Sequence, residues 1–161
     1  MAAQVQIHEM TTSSVGVDKT SSTVRFKSAN STTVDTNNPI QIPAAGNTYS
    51  YTKELQVYVA NTVYTQISDL GAYTDGTNNF GTGISVTYDV QGSFVTHTNA
   101  DIAGTNLFTK TAGSPISLGA GPYTSTGYKG SLLRMQMVVA STASSGTLTA
   151  ETLTVQYNEI S

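Results

Sequence analysis

Apolar and polar residues alternate over several short stretches of the chain, which is the period of a β-strand with one buried face. In the first of these stretches, Leu55, Val57 and Val59 share one face. The same alternation recurs over 84–90 and 133–139. We therefore predict three antiparallel strands, each with one face against a core.

The alternation also assigns individual side chains to the two faces of these strands. The inward set comprises Ile84, Val86, Tyr88, Val90, Leu133, Met135, Met137 and Val139. The outward set comprises Ser85, Thr87, Asp89, Arg134 and Gln136. Weaker strand patterns cover 4–10, 23–28, 47–52, 63–67, 93–98, 106–110 and 115–118. The best place for a short helix is 64–73, and no longer helix is predicted.

The carboxyl-terminal stretch changes its apolar phase between Leu148 and Leu153. Because a slip of one residue moves every following side chain to the other face, we expect a β-bulge or bend near Glu151 and Thr152. Residues 131–160 are predicted to form a long closing hairpin.

These elements predict an all-β chain folded as a single antiparallel β-sandwich, with jelly-roll or immunoglobulin-like connectivity left open. Residues 1–22 are interpreted as an amino-terminal arm or edge strand with a polar linker, and 23–161 as the sandwich domain. A long loop over 71–83 is a candidate binding surface.

The amino-acid composition indicates what kind of surface the predicted strands present to solvent. Serine and threonine supply 45 of the 161 residues, only 11% of residues are charged, and the net charge is −3. Hydroxyl groups thus give the strands a neutral outward cover. The thin basic charge argues against nucleic-acid binding. The absence of cysteine argues against disulfides and thiolate zinc sites, and no signal peptide or membrane segment is predicted.

The search for chemistry predicts no catalytic, cofactor-binding or metal-binding residue, so the chain is interpreted as a non-enzyme. His97 with Asp89 or Asp101 is the one conceivable triad, and serine is too abundant to give that match weight. A cluster of possible calcium ligands around the long loop is interpreted as turn-forming residues, namely Asp69, Asp75, Asn78 and Asn79.

Tyrosines that lie close together in sequence offer two interpretations. They are Tyr49, Tyr51, Tyr58 and Tyr64. They either form an aromatic patch for stacking on carbohydrate or for protein contact, or they border the core with their hydroxyl groups in water. The second interpretation is favoured.

The turn and strand residues resemble those of β-sandwich virion proteins of tailed bacteriophages, most of all capsid decoration (cement) and other head-surface proteins. The resemblance covers 24–76 and 131–160. It is carried by Ile42 to Gly46, Tyr49 to Leu55, Ile67 to Leu70, Tyr73 to Gly76, 145–149 and Leu153 to Glu159. These residues make a fold and include no invariant chemical motif.

The resemblance implies a structural protein of the virion, made in the bacterial host cytoplasm. It would bind the major capsid protein on the outer surface of the shell, often as a trimer, and stabilise it. Expected partner contacts are Val5, Ile7, His8, Tyr73, Asp75 and Phe80, with Val5 and Ile7 as apolar anchors of the arm. The alternatives are a tail, connector or receptor-binding protein, and a carbohydrate-binding module or glycan-active enzyme.

Overall fold

A computed structural model describes residues 2–61 and 63–160. Position 1 of the predicted segment 1–22 and positions 62 and 161 of the predicted domain 23–161 lie outside the described residues. Within the described part, ten strands form two antiparallel sheets that bury a shared core, which confirms the all-β sandwich. The described residues include no helix that is long and apolar enough to cross a membrane.

The strands follow one another with one short helical interruption. Their bounds are β1 (Val5–Met10), β2 (Gly16–Asp18), β3 (Asn47–Tyr49), β4 (Lys53–Val59), β5 (Gln66–Tyr73), β6 (Ile84–Gln91), β7 (Thr105–Asn106), β8 (Ile116–Gly119), β9 (Gly127–Ala140) and β10 (Thr154–Ile160). Among the described residues, one 3₁₀ turn covers Leu107–Thr109.

The larger sheet has seven strands in the order β2-β1-β4-β9-β6-β7, with β3 also paired to β9. β9 is long enough to pair with β4 up to Met135 and then with β3 from Val138 onward. The smaller sheet has the order β10-β5-β8. Three strands therefore face seven, and the smaller sheet leaves part of the larger sheet's inner face to other segments.

The amino-terminal segment forms two strands of the large sheet, the inner β1 and the outermost β2, so of the two predicted alternatives the extended arm is wrong and an edge strand is present. β1 lies between β2 and β4. Val5 and Ile7 pack against the protein's own core, and Met10 is fully buried. The reason is the tight hairpin at 11–15, which returns the chain to pair with β1 instead of releasing it as a linker.

The prediction of a closing hairpin over 131–160 is also wrong, because β9 and β10 belong to different sheets. β10 pairs with β5, and residues 141–153 cross between the sheets. The phase change read as a bulge near Glu151 and Thr152 lies in this connection. The register shift of β10 falls later, between Gln156 and Asn158.

The predicted short helix at 64–73 is replaced by β5. Ile67 and Leu70 are both fully buried although they are three residues apart, a spacing that imitates a helix. Asp69 lies between them with a positive φ of 53°, and the pairing of β5 with β8 shifts register just after Leu70. The irregular residue thus restores the inward direction that strict alternation would lose.

The predicted inward faces of β4, β6 and β9 are confirmed with one exception. Val90 is 39% exposed. β7 pairs only with Thr87 and Tyr88, so β6 forms the edge of the sheet where Val90 lies. Its assignment to the core is therefore wrong.

The outward face of the large sheet is not uniformly open to water, which the alternation did not reveal. Gln136 is fully buried there: its amide donates to the carbonyl oxygens of Ser50 and Ala100, and its Oε1 accepts the N–H of Ile102. Glu54 is buried on the same face and accepts the N–H of Val95. The loop between β6 and β7 therefore covers part of this face.

Candidate functional site

A cavity of about 930 Å³ lies on the inner face of the large sheet. Its wall includes Leu55 from β4, Val86 from β6 and Met137 from β9. Two segments without regular secondary structure, 22–42 and 144–153, supply much of the remaining lining, the first of them through residues 22–27 and 36–42. The cavity therefore occupies the region where the larger sheet faces irregular chain.

Buried charges hold the first of these segments in place. Lys53 Nζ lies 2.7 Å from Glu9 Oε1, and Lys19 Nζ lies 3.5 Å from Glu9 Oε2. All three side chains are buried. The two ammonium groups also donate to backbone carbonyl oxygens, Lys53 to Ser31 and Lys19 to Thr32. One carboxylate thus supports two lysines that fix the chain near residue 31.

A second ion pair extends this arrangement. Lys27 Nζ, on a side chain only 2% exposed, donates to the carboxylate of Asp35, which is 32% exposed. The N–H of Asn37 donates to the same carboxylate. Hydrogen bonds from Lys27 and Asn37 lower the pKa of Asp35 below its ordinary value of 3.8. Lys19 and Lys27 both line the cavity.

An aromatic cluster lies on the opposite, outer face of the large sheet. His8 stacks on Tyr58 with 4.6 Å between ring centroids, and Tyr128 meets both rings edge-on. His8 Nδ1 lies 3.2 Å from the Tyr128 hydroxyl oxygen. Desolvation lowers the pKa of His8 and raises that of Tyr128. All three side chains remain half-buried.

Gly16 closes one side of this cluster and explains why glycine stands there. A Cβ atom at position 16 would lie 2.8 Å from His8 Cβ and 2.9 Å from the Tyr128 hydroxyl oxygen. Only a residue without a side chain lets the start of β2 approach so closely. The cluster is thus partly a packing contact.

The predicted partner-contact residues do not form one site. Val5 and Ile7 face the core, whereas His8 belongs to the outer cluster. Tyr73, half-buried, ends β5, and Asp75 is exposed and accepts the N–H of Thr77 within its turn. Phe80 packs on Phe108, with ring centroids 5.9 Å apart. Of the six predicted contact residues, His8 is the one that belongs to the partly exposed aromatic cluster.

The tyrosines that are neighbours in sequence are separated in the structure. The Tyr49 hydroxyl donates to Asp101, and the buried Tyr64 hydroxyl donates to the carbonyl oxygen of Ser125. Tyr58 instead meets His8 and Tyr128. The observed aromatic cluster therefore joins β1, β4 and β9 and is not made of neighbours in sequence. Sequence reasoning missed Tyr128 because the aromatic residue nearest to it in sequence is Tyr123.

The carboxylates and histidine considered for chemistry each have a separate partner. Asp89 pairs with Arg134, and His97 Nε2 lies 2.9 Å from the carbonyl oxygen of Met10. Asp69 accepts from Asn158, and Asn79 bonds Glu151. In residues 2–61 and 63–160, no group of three or more His, Cys, Asp or Glu side chains is placed to hold a metal ion.

Exposed valines mark an open edge of the large sheet. Val15 is 56% exposed and Val17 is 41% exposed, in the hairpin turn and in β2. β2 is the outermost strand of its sheet and pairs only with β1 in the described chain. At an edge of the small sheet, Ile160 is exposed at the end of β10.

Comparisons with protein-family models, with curated proteins and with solved structures found no match. The function is therefore argued from the edges, the aromatic cluster, the lysines and the cavity of this chain itself.

Proposed function

We propose that this protein is a non-enzymatic structural protein of a phage virion that binds the outer surface of the capsid and stabilises it. The observation that carries the proposal is the apolar edge at β2, where Val15 and Val17 are exposed. The resemblance of the strand and turn residues to decoration proteins and the neutral hydroxyl-rich composition support it.

An edge strand offers unpaired N–H and C=O groups to another chain, and proteins commonly protect such edges with charge, proline or a bulge. β2 has the sequence Gly-Val-Asp, and only Asp18 carries charge. That carboxylate turns back to Thr20, where it accepts the backbone N–H at 2.8 Å and the hydroxyl at 2.6 Å. The edge thus suits pairing with a strand of the major capsid protein.

The edge at β10 gives the protein a second, different contact surface. Because contacts between unlike surfaces close into rings when the rotation permits, a contact of the β10 edge with a surface of the next copy other than β2 is compatible with a trimer that leaves β2 free. A trimer would present three copies of β2 to one lattice. Weak contacts made together bind far more durably than each alone.

The test is co-sedimentation with purified capsids of the encoding phage that lack this protein. We expect the wild type to sediment with the shells and Val17→Lys to stay in the supernatant, because a lysine ammonium group opposes an apolar strand contact. Val34→Lys is the matched control, since Val34 is also an exposed valine but lies outside both sheets. Circular dichroism verifies that each variant is folded.

Stoichiometric binding of Val17→Lys would contradict the role of the β2 edge, and failure of the wild type to bind shells would contradict the decoration function. Negative-stain imaging of virions with a specific antibody separates the alternatives within the particle. Label on the head supports the proposal. Label at the tail tip favours the receptor-binding alternative, for which the cluster of His8, Tyr58 and Tyr128 is the candidate glycan surface.

A further inference from the structure

We propose that the inner cavity binds an amphiphile with a long apolar chain and a single carboxylate, such as a long-chain fatty acid. The chain would lie along the inner face of the large sheet, and the carboxylate would meet the Lys27 ammonium group. This proposal does not depend on attachment to a capsid.

The cavity has the size and lining that an apolar ligand needs. Small-molecule sites usually measure about 300–1,000 Å³ and combine apolar walls with a few polar groups. The volume here is about 930 Å³. Apolar side chains come from both walls, with Met135, Met137 and Val139 on the sheet and Phe26, Leu148 and Leu153 on the covering segments.

The charges beside the cavity favour an anionic head group. Three buried lysines, Lys19, Lys27 and Lys53, are paired with two carboxylates, those of Glu9 and Asp35. Buried positive charge without a full complement of partners is unfavourable. One additional carboxylate would balance the set.

Lys27 is the member of this set best placed to receive the ligand. An ammonium group has three N–H donors, and the Lys27 group makes one hydrogen bond within the described chain, to Asp35. Lys27 is buried and lines the cavity, whereas Lys53 is outside its lining and already bonds both Glu9 and Ser31. Lys27 therefore combines a place in the cavity lining with ammonium donors that make no hydrogen bond in the described chain.

The covering segments provide a route of entry. Residues 36–39 and 144–147 line the cavity, are exposed to solvent and belong to neither sheet. Residues 144–153 make no backbone–backbone hydrogen bond within the described chain. Displacing this segment would thus break few bonds, so a ligand can enter without disturbing the sheets.

The experiment measures palmitate binding to the purified full-length protein by isothermal titration calorimetry, with native mass spectrometry for stoichiometry. We expect one palmitate per chain and at least tenfold weaker binding of hexadecanol, which has the same chain without charge. Lys27→Met should weaken palmitate binding by roughly tenfold. Lys110→Met, a change of the same kind outside the cavity lining, should leave it unchanged.

Asp35→Asn gives a change of opposite sign that a merely structural role would not produce. Removing the competing carboxylate leaves the Lys27 ammonium group available, so palmitate should bind roughly tenfold tighter. Asp35 is partly exposed, so this variant is expected to fold even if Lys27→Met does not. No binding of palmitate, equal binding of palmitate and hexadecanol, or no tightening in Asp35→Asn would each overturn the proposal.

Discussion

The inner face of the large sheet is covered in two different ways, by a second sheet and by irregular segments of chain. The two coverings are held in place by different interactions. One part faces the small sheet of β10, β5 and β8. Ile67 and Leu70 of β5 are fully buried there. The other part faces 22–42 and 144–153, with a cavity between. A hydrogen-bonded sheet covers the first part, and buried ion pairs hold one of the segments that cover the second.

This difference teaches that a sandwich with unequal sheets need not complete its smaller sheet to protect its core. Lys53 and Lys19 are anchored by Glu9 and hold Ser31 and Thr32 through their carbonyl oxygens. Such charge pairs fix the path of the chain but do not fill space as packed side chains do. The cavity is the consequence.

Removing the Glu9 carboxylate, which Lys53 and Lys19 share, should cause the largest loss of stability. Glu9→Ala leaves the ammonium groups of Lys53 and Lys19 buried without their anion, so we expect the free energy of unfolding to fall by about 3–5 kcal/mol. Urea denaturation followed by circular dichroism measures it. Glu151→Ala removes a carboxylate that bonds only neutral groups of Asn79, and it should cost less than about 1 kcal/mol. Equal losses in the two variants would contradict the role assigned to Glu9.

Shortening a buried side chain should cost more stability under the small sheet than beside the cavity. Leu133 packs where the small sheet covers β9, whereas Met137 lines the cavity. Large-to-alanine changes in a core cost about 2–5 kcal/mol and more when a new void forms. We therefore expect Leu133→Ala near the upper end of that range and Met137→Ala near about 2 kcal/mol, because space already exists beside it. Urea denaturation of both variants checks this, and a larger loss for Met137→Ala would mean that the cavity is closed in solution.

Sequence patterns predicted the inner face of the large sheet on both of its parts: Val57, which lies away from the cavity, and Met137, which lines it, were both assigned inward and are both buried. Strict alternation placed Leu55, Val57 and Val59 correctly, since the period of two depends only on local chain geometry. It failed at Ile67 and Leu70, where the positive φ of Asp69 resets the phase. Alternation likewise could not show that β10 pairs with β5, because pairing partners are chosen by tertiary contacts.

The lysine cluster and the cavity left little trace in the sequence. Lys27 lies in the weak strand pattern 23–28 and Lys53 lies just before the stretch of Leu55, Val57 and Val59, and lysine is seldom fully buried unless it is paired. Their partners are distant or in an irregular segment: Glu9 lies 44 residues before Lys53. The one available signal was the charge density of the segment, since four of the chain's seven basic residues fall between positions 19 and 53.

The smallest expected effect concerns acid, and it tests whether the Lys27–Asp35 pair stabilises the covering segment. Because the pKa of Asp35 is lowered in the folded protein, its contribution to stability is complete above the ordinary value of 3.8 and is lost as the pH falls through the lowered value. The wild type should therefore be more stable than Asp35→Asn at pH 7, and the gap should close as the pH falls below that value. Denaturation midpoints at pH 7, 4 and 3 measure the gap. Asp75→Asn, which changes a carboxylate that accepts the N–H of Thr77 in an exposed turn, provides the control. A gap between wild type and Asp35→Asn that stays constant with pH would show that the ion pair adds nothing beyond the hydrogen bond an asparagine can also make.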